Sequence, residues 1–109
     1  MTQLDFYLGQ KVFLKVRLEA SEVSLGRGET CTIQLPDNRV SRVHAVLRRT
    51  DEGYAIEDRS RNGTYVNDQR LEEARPLLPG DRIQIETFAL VYRDDVALGP
   101  AGKPTVREL

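Results

Sequence analysis

The segment VHAVLRRTDEGYAIED, from Val43 to Asp58, contains two runs of strand-forming residues on either side of a turn. The first run, VHAVLRR, is typical of a β-strand, and YAIED predicts a returning strand. Between them, Asp51-Glu52-Gly53 favours a hairpin, because glycine adopts positive φ without a steric penalty. This segment therefore indicates that neighbouring strands pair locally, which is the signature of an antiparallel β fold.

Alternation with a period of two continues on both sides of this hairpin. In KVFLKVRL, residues 11–18, every second residue is apolar, so one face of a strand would be half-buried (Val12, Leu14, Val16 and Leu18). The runs EVSLGR, TIQL, TYVN, QRL, RIQIE and FALVYR predict further short strands, and LPGD at 78–81 suits a type II turn. No window predicts a helix of about ten residues or more, since Pro76 and Pro79 interrupt the best candidate. Many short strands and frequent turns predict an antiparallel β-sandwich.

The composition is that of an ordinary globular domain. The chain has 109 residues, of which 39% are hydrophobic and 30% charged, and a chain of this length buries roughly 65% of its unfolded surface. The single cysteine, Cys31, excludes an internal disulfide and fits a reducing compartment. There is no apolar run of membrane length and no signal peptide. We predict a cytoplasmic domain over residues 1–94 and a tail or linker, rich in Gly, Pro and Ala, over residues 95–109.

The residues most suited to binding lie in three predicted loops. Gly26-Arg27 follows one strand, Arg39–Arg42 precedes another, and RSRNG at 59–63 connects two more. Arginine outnumbers lysine thirteen to three in the chain, and its planar fork grips phosphate or carboxylate in a bidentate way. Sequence alone does not assign loops to an end of a sandwich, so we expect, by inference, that the three loops meet.

Four motifs in this order resemble a forkhead-associated domain. They are LGR (Leu25–Arg27), SRVHA (Ser41–Ala45), DRSRNGTYVN (Asp58–Asn67) and LLPGDRIQI (Leu77–Ile85). The resemblance covers about residues 12 to 93. It implies a sandwich of about eleven strands in which loops at one end hold a phosphothreonine peptide. It further implies an interaction module without catalysis that depends on an upstream Ser/Thr kinase and binds no cofactor.

The resemblance also implies roles for individual residues. Phosphate-binding residues would be Arg27, Ser41, Arg42 and Arg61. Asn62 would bind the peptide main chain, and Arg39 would lie beside peptide residues that follow the phosphothreonine. Structural positions would be Gly26, His44 and Gly63. The physical chemistry agrees, because a phosphothreonine carries a charge of about −1.5 to −2 and needs several converging donors.

The sequence departs from the family pattern at two positions. The family commonly has glycine after the asparagine of the TYVN hairpin, where this chain has Asp68. Arg59 stands where smaller or apolar residues are usual, and it would add to the positive loop end. Neither departure changes the predicted fold.

Three other functions compete with this one. A hydrolase would use Ser41, His44 and an aspartate such as Asp58, but there is no Gly-x-Ser-x-Gly elbow, and one histidine and one cysteine argue against catalytic zinc. Nucleic-acid binding would use the arginine cluster, yet the net charge is −1 and no aromatic ladder is evident. A sandwich that has lost phosphate binding is the third alternative. We predict that the chain binds a phosphothreonine-containing partner protein and contacts neither membrane nor nucleic acid. We also predict that it acts with an effector domain or is fused to one.

Overall fold

The computed structural model describes residues 2–8 and 10–94, and these residues form eleven β-strands. The predicted tail, residues 95–109, lies outside the described residues. The strands are β1 (Thr2–Leu8), β2 (Lys11–Arg17), β3 (Glu22–Gly26), β4 (Ile33–Gln34), β5 (Ala45–Thr50), β6 (Gly53–Asp58), β7 (Tyr65–Val66), β8 (Gln69–Arg70), β9 (Arg75–Pro76), β10 (Arg82–Ile85) and β11 (Phe88–Asp94).

The strands form two sheets that pack face to face. The six-stranded sheet has the order β2-β1-β11-β10-β7-β8, and the five-stranded sheet has the order β4-β3-β5-β6-β9. The predicted β-sandwich is therefore confirmed. One strand pair differs from the antiparallel prediction, because β4 runs parallel to β3, with Leu25 opposite Ile33. No helix in the described part of the chain is long and apolar enough to span a membrane.

The core lies between the two sheets and consists mainly of aliphatic side chains. Leu25, Leu47 and Ile56 from one sheet and Ile83 and Leu90 from the other are almost completely buried. Burial of one such side chain contributes about 1.5–3 kcal/mol. The central hairpin supplies part of this core, because β5 and β6 pair in register with Leu47 opposite Ile56.

The first two strands differ from the sequence-based prediction. Strand β1 was not predicted, although Leu4 and Phe6 are buried. The expected apolar face of β2 is only partly right, because Leu18 is buried whereas Val12 and Leu14 are 37% and 46% exposed. The reason is that β2 is an edge strand, which in the described part of the chain pairs with β1 alone, and the register of this pair shifts between Phe6 and Tyr7 of β1. The alternating apolar residues of β2 therefore lie at the exposed edge of the sandwich and not in its core.

The predicted turns are present. The turn between β5 and β6 has Gly53 at φ +126°, which favours glycine. In the turn before β10, the N–H of Asp81 donates to the carbonyl of Leu78 over 2.9 Å and Gly80 has φ +94°, as a type II turn requires. These turns lead the chain back and forth so that the arginine-rich loops emerge at one end.

Candidate anion-binding site

Backbone hydrogen bonds bring the three predicted loops together. The N–H of Arg27, after β3, donates to the carbonyl of Ser41 over 2.9 Å, and the N–H of Gly28 donates to that of Arg42 over 3.0 Å. The N–H of Arg61, in the loop between β6 and β7, donates to the Ser41 side-chain oxygen over 3.1 Å. The inferred convergence of the three loops is therefore what the structure shows.

Close backbone approach explains the glycine at position 26. A β-carbon on Gly26 would overlap the carbonyl oxygen of Arg42 and would lie 3.0 Å from the backbone nitrogen of His44. A larger residue would push the loop that carries Ser41 away from the end of β3. Gly26 thus sets the distance between Arg27 and Ser41.

Through its buried side chain, His44 connects the loop that carries Ser41 with the loop that carries Gly63. Its side chain is fully buried, its Nδ1 accepts from the backbone N–H of Ser41 over 3.1 Å, and its Nε2 lies 2.9 Å from the carbonyl of Gly63. These partners imply the tautomer with hydrogen on Nε2, which donates to Gly63. Neither ring nitrogen bonds to the Ser41 hydroxyl, so the geometry differs from that of a hydrolase triad.

The polar groups above His44 retain unused donors. The Ser41 oxygen already accepts from Arg61, so the hydroxyl hydrogen is left to donate outward. The Nε of Arg27 donates to the Val40 carbonyl over 3.0 Å, and both terminal amino groups have no partner among the described residues. The Asn62 amide donates to the carbonyl of Arg39 over 3.2 Å, which holds it against the neighbouring loop.

The carboxylate of Asp58 holds the loop between β6 and β7 in place through hydrogen bonds. Asp58 accepts from the hydroxyl of Ser60 over 2.6 Å and from that of Thr64 over 2.7 Å, and the Ser60 hydroxyl oxygen accepts from the N–H of Gly63 over 2.7 Å. Burial acts to raise the pKa of Asp58, but the hydrogen bonds from Ser60 and Thr64 outweigh it, so the pKa lies below its ordinary value. The aspartate is therefore a structural anion that fixes the loop, and within the described residues its carboxylate forms no hydrogen bond with the His44 ring, whose partners are Ser41 and Gly63.

The three loops enclose an open cleft of about 450 Å³. Within residues 2–8 and 10–94 no carboxylate lines it, and the guanidinium groups of Arg42 and Arg61 form no hydrogen bond or ion pair there. Such a surface attracts anions, because several guanidinium forks face the same space. The lining residues are Arg27, Asn38, Arg39, Val40, Ser41, Arg42, Arg61 and Asn62.

Arg39 lines the cleft but already has a partner. Its Nε and one terminal nitrogen lie 3.1 Å and 2.9 Å from the two carboxylate oxygens of Asp37. This pairing lowers the pKa of Asp37 to about 2, because the carboxylate accepts from the side chain and backbone of Arg39. Arg59 is likewise paired, with Glu57 at 2.8 Å. Both arginines thus contribute less free positive charge to the cleft than the sequence suggested.

One arginine beside the cleft was missed by the sequence analysis. Arg70, on β8, lies against Gly63, so that a β-carbon at Gly63 would be 2.9 Å from its Nε. Gly63 also has φ +103°, a conformation that favours glycine. The pairing of Arg70 with Tyr65 across the β7–β8 hairpin was the available signal, since it returns Arg70 to the start of β7.

The fold and this cleft define a class of protein, namely a β-sandwich domain that presents a loop-built binding site at one end. The model for the FHA domain matches residues 23–86, which is more than half of the chain. The chain belongs to the FHA domain family.

Known relatives share both sequence and fold with this chain. An oxoglutarate dehydrogenase inhibitor of Corynebacterium jeikeium is 41% identical over 76 residues, which are 69% of this chain and 52% of the relative. EmbR of Mycobacterium tuberculosis, solved with a low-affinity phosphopeptide, is 31% identical with a TM-score of 0.77 over 84% of this chain and 24% of that one. An FHA structure from work on phosphothreonine-dependent interactions is 28% identical with a TM-score of 0.76, over 85% and 95% of the two chains. The chain spans about half the length of the first curated relatives it matches.

Proposed function

We propose that this chain is a phosphothreonine-dependent interaction module that binds phosphorylated segments of partner proteins. The observation that carries the proposal is the cleft around the Ser41 hydroxyl, which no carboxylate lines in the described part of the chain and where Arg42, Arg61 and the terminal amino groups of Arg27 have no partner there. A phosphate dianion offers three acceptor oxygens and satisfies several such donors at once. The phosphopeptide-binding relatives support this assignment by analogy.

Each predicted residue has a proposed role in the cleft. Arg27 and Ser41 contact the phosphate, and Arg42 and Arg61 add charge and further contacts. The Asn62 amide, which can donate and accept, holds the peptide main chain. Arg39 lies at the rim as a peptide contact, and its pairing with Asp37 limits how strongly it attracts a peptide carboxylate.

The proposed role is binding without catalysis. The partner is a protein that a Ser/Thr kinase phosphorylates, and the cytoplasm is the proposed compartment. That an effector domain acts with this domain stays a prediction. Nucleic-acid binding is the less favoured alternative, because the chain carries a net charge of −1 and the cleft is a local site, not an extended basic surface.

The test compares one fluorescent peptide in four forms, with threonine, phosphothreonine, phosphoserine or glutamate at the same position, by anisotropy. We expect measurable binding of the phosphothreonine form alone or far above the others. Arg27→Ala should weaken it about ten- to a hundredfold, because a hydrogen bond to a charged group contributes about 1.5–3 kcal/mol.

A matched control separates this effect from a general loss of positive charge. Arg49 is exposed, and it lies opposite Tyr54 at the hairpin end remote from the cleft. Arg49→Ala should therefore leave the affinity close to that of the wild type. Equal affinity of the wild type for the phosphorylated and unphosphorylated peptides, or undiminished affinity in Arg27→Ala, would overturn the proposal.

A further inference from the structure

Arg70 is placed to extend the binding surface past the cleft. Its guanidinium lies against Gly63, the residue that follows Asn62, and it is exposed on the short strand β8. Any side chain at Gly63 would occupy the space of this guanidinium, since the positions of Nε and Cζ are 2.9 Å and 3.1 Å from an added β-carbon. Arg70 thus borders the part of the loop that the peptide main chain would follow.

The charge of Arg70 is not neutralised within the described part of the chain. Six arginines there form ion pairs with carboxylates, whereas Arg70 forms neither an ion pair nor a side-chain hydrogen bond (the paired ones are Arg17, Arg39, Arg48, Arg59, Arg75 and Arg93). Arg70 therefore presents its donors to solvent beside Gly63, the residue that follows Asn62 of the cleft lining.

A single phosphate leaves positive charge unmatched on this surface. The phosphate brings a charge of about −1.5 to −2, while Arg27, Arg42 and Arg61 line the cleft and Arg70 lies beside it. Arg39 is excluded from this balance, because Asp37 neutralises it. A ligand with one more anionic group would match the surface better than one with neutral residues around its phosphothreonine.

We propose that Arg70 is a specificity-determining residue that favours a second anionic group on the peptide beside the phosphothreonine. The inference rests on the proposed function, since the peptide must be held by the cleft and Asn62 for its neighbouring residue to reach Arg70. The shared chemistry is an oxyanion that accepts hydrogen bonds from a guanidinium fork, and its source is either an acidic side chain or a second phosphate.

The test uses a phosphothreonine peptide with alanine at the neighbouring positions as the parent probe. One series places glutamate at each flanking position in turn, and a second series places a second phosphothreonine there. Affinities are measured for the wild type, for Arg70→Glu and for Arg82→Glu. The last is a charge-matched control, because Arg82 is exposed on β10 and forms no side-chain hydrogen bond or ion pair within residues 2–8 and 10–94.

We expect the wild type to prefer an anionic group at one flanking position by about two- to fivefold, the size of an exposed ion pair. Arg70→Glu should abolish or invert that preference while it still binds the parent peptide, and Arg82→Glu should keep it. If the preference is seen only with the second phosphothreonine, the anionic group that Arg70 binds is a second phosphate. If glutamate gives the preference as well, Arg70 also accepts a carboxylate. If Arg70→Glu does not fold, Arg70→Gln serves as the neutral variant and should remove the preference.

An unchanged ranking of peptides in the folded Arg70 variants would overturn this inference and leave phosphothreonine binding intact. Failure of the proposed function would look different, because the wild type would then not distinguish the parent phosphopeptide from its unphosphorylated form.

Discussion

At the scale of single residues, His44 and Asp58 do not line the cleft, yet both hold the loops that form it. The sequence indicated a structural role for His44 because it stands where a strand begins. It could not reveal the partners, which are the backbone N–H of Ser41 and the carbonyl of Gly63. For Asp58, the sequence raised only a triad aspartate, whereas the structure shows an acceptor for the hydroxyls of Ser60 and Thr64. Local pattern identifies residue types, but their roles depend on which groups the fold places within hydrogen-bond distance, such as the carbonyl of Gly63 beside the His44 ring.

The lowered pKa of Asp58 predicts a pH dependence of stability. Its folded-state pKa lies below the ordinary value of 3.8, so its ionised form stabilises the fold above that pH, and the contribution is lost as pH falls through the folded-state pKa. Asp58→Asn should lower the free energy of unfolding by about 1–3 kcal/mol near neutral pH, since charged hydrogen bonds are lost. Urea unfolding from pH about 7 to about 2 should show the wild type and the variant converging at the acid end.

The control for this experiment is Glu52→Gln, which removes an exposed carboxyl whose side chain forms no hydrogen bond or ion pair in the described residues. It should follow the wild-type curve throughout. A constant difference between Asp58→Asn and the wild type at every pH would show that ionisation of Asp58 does not stabilise the fold.

At the scale of strands and turns, local signals predicted the hairpins and failed at the edges of the sheets. The turns at Gly53 and Gly80 follow from glycine and proline placement, and both are found. The exposure of Val12 and Leu14 could not be predicted, because it depends on the position of β2 at the edge of its sheet, with β1 as its one neighbour among the described strands. The parallel pairing of β4 with β3 was also hidden, since strand direction depends on the path of the intervening loop.

The β7–β8 hairpin carries a backbone strain that a substitution should relieve. Asn67 and Asp68 have φ of +52° and +69°, a region that costs a residue with a β-carbon about 1–2 kcal/mol, less for Asn and Asp. Asp68→Gly should therefore raise stability by about 0.5–1 kcal/mol, or the melting temperature by about 2–6 °C. Calorimetry of the two proteins tests this, with Asp51→Gly in another turn as a control for the loss of an aspartate. A lower melting temperature for Asp68→Gly would contradict the argument.

At the scale of the whole molecule, the net charge conceals an uneven distribution. The chain carries a net charge of −1, yet among the residues that the structure describes four arginines and no carboxylate line the cleft at one end of the sandwich. The four motifs and their order predicted the sandwich, and the six residues expected to bind phosphate or peptide all line the cleft, whereas Asn38 and Val40, which also line it, were not predicted. The sequence left open whether Arg39 contacts the peptide, faces solvent or pairs with Asp37. The structure shows the pair with Asp37, whereas Arg42 and Arg61 have no such partner among the described residues.

The most direct measurement of the central claim is a titration of the isotope-labelled protein with a phosphothreonine peptide, followed by backbone amide NMR. The phosphorylated peptide should shift the amide signals of Arg27, Ser41, Arg42, Arg61 and Asn62, and the same peptide without its phosphate should leave them in place. Amides at the remote β5–β6 turn should not move in either titration. Shifts centred on that turn, or equal shifts with both peptides, would contradict the account.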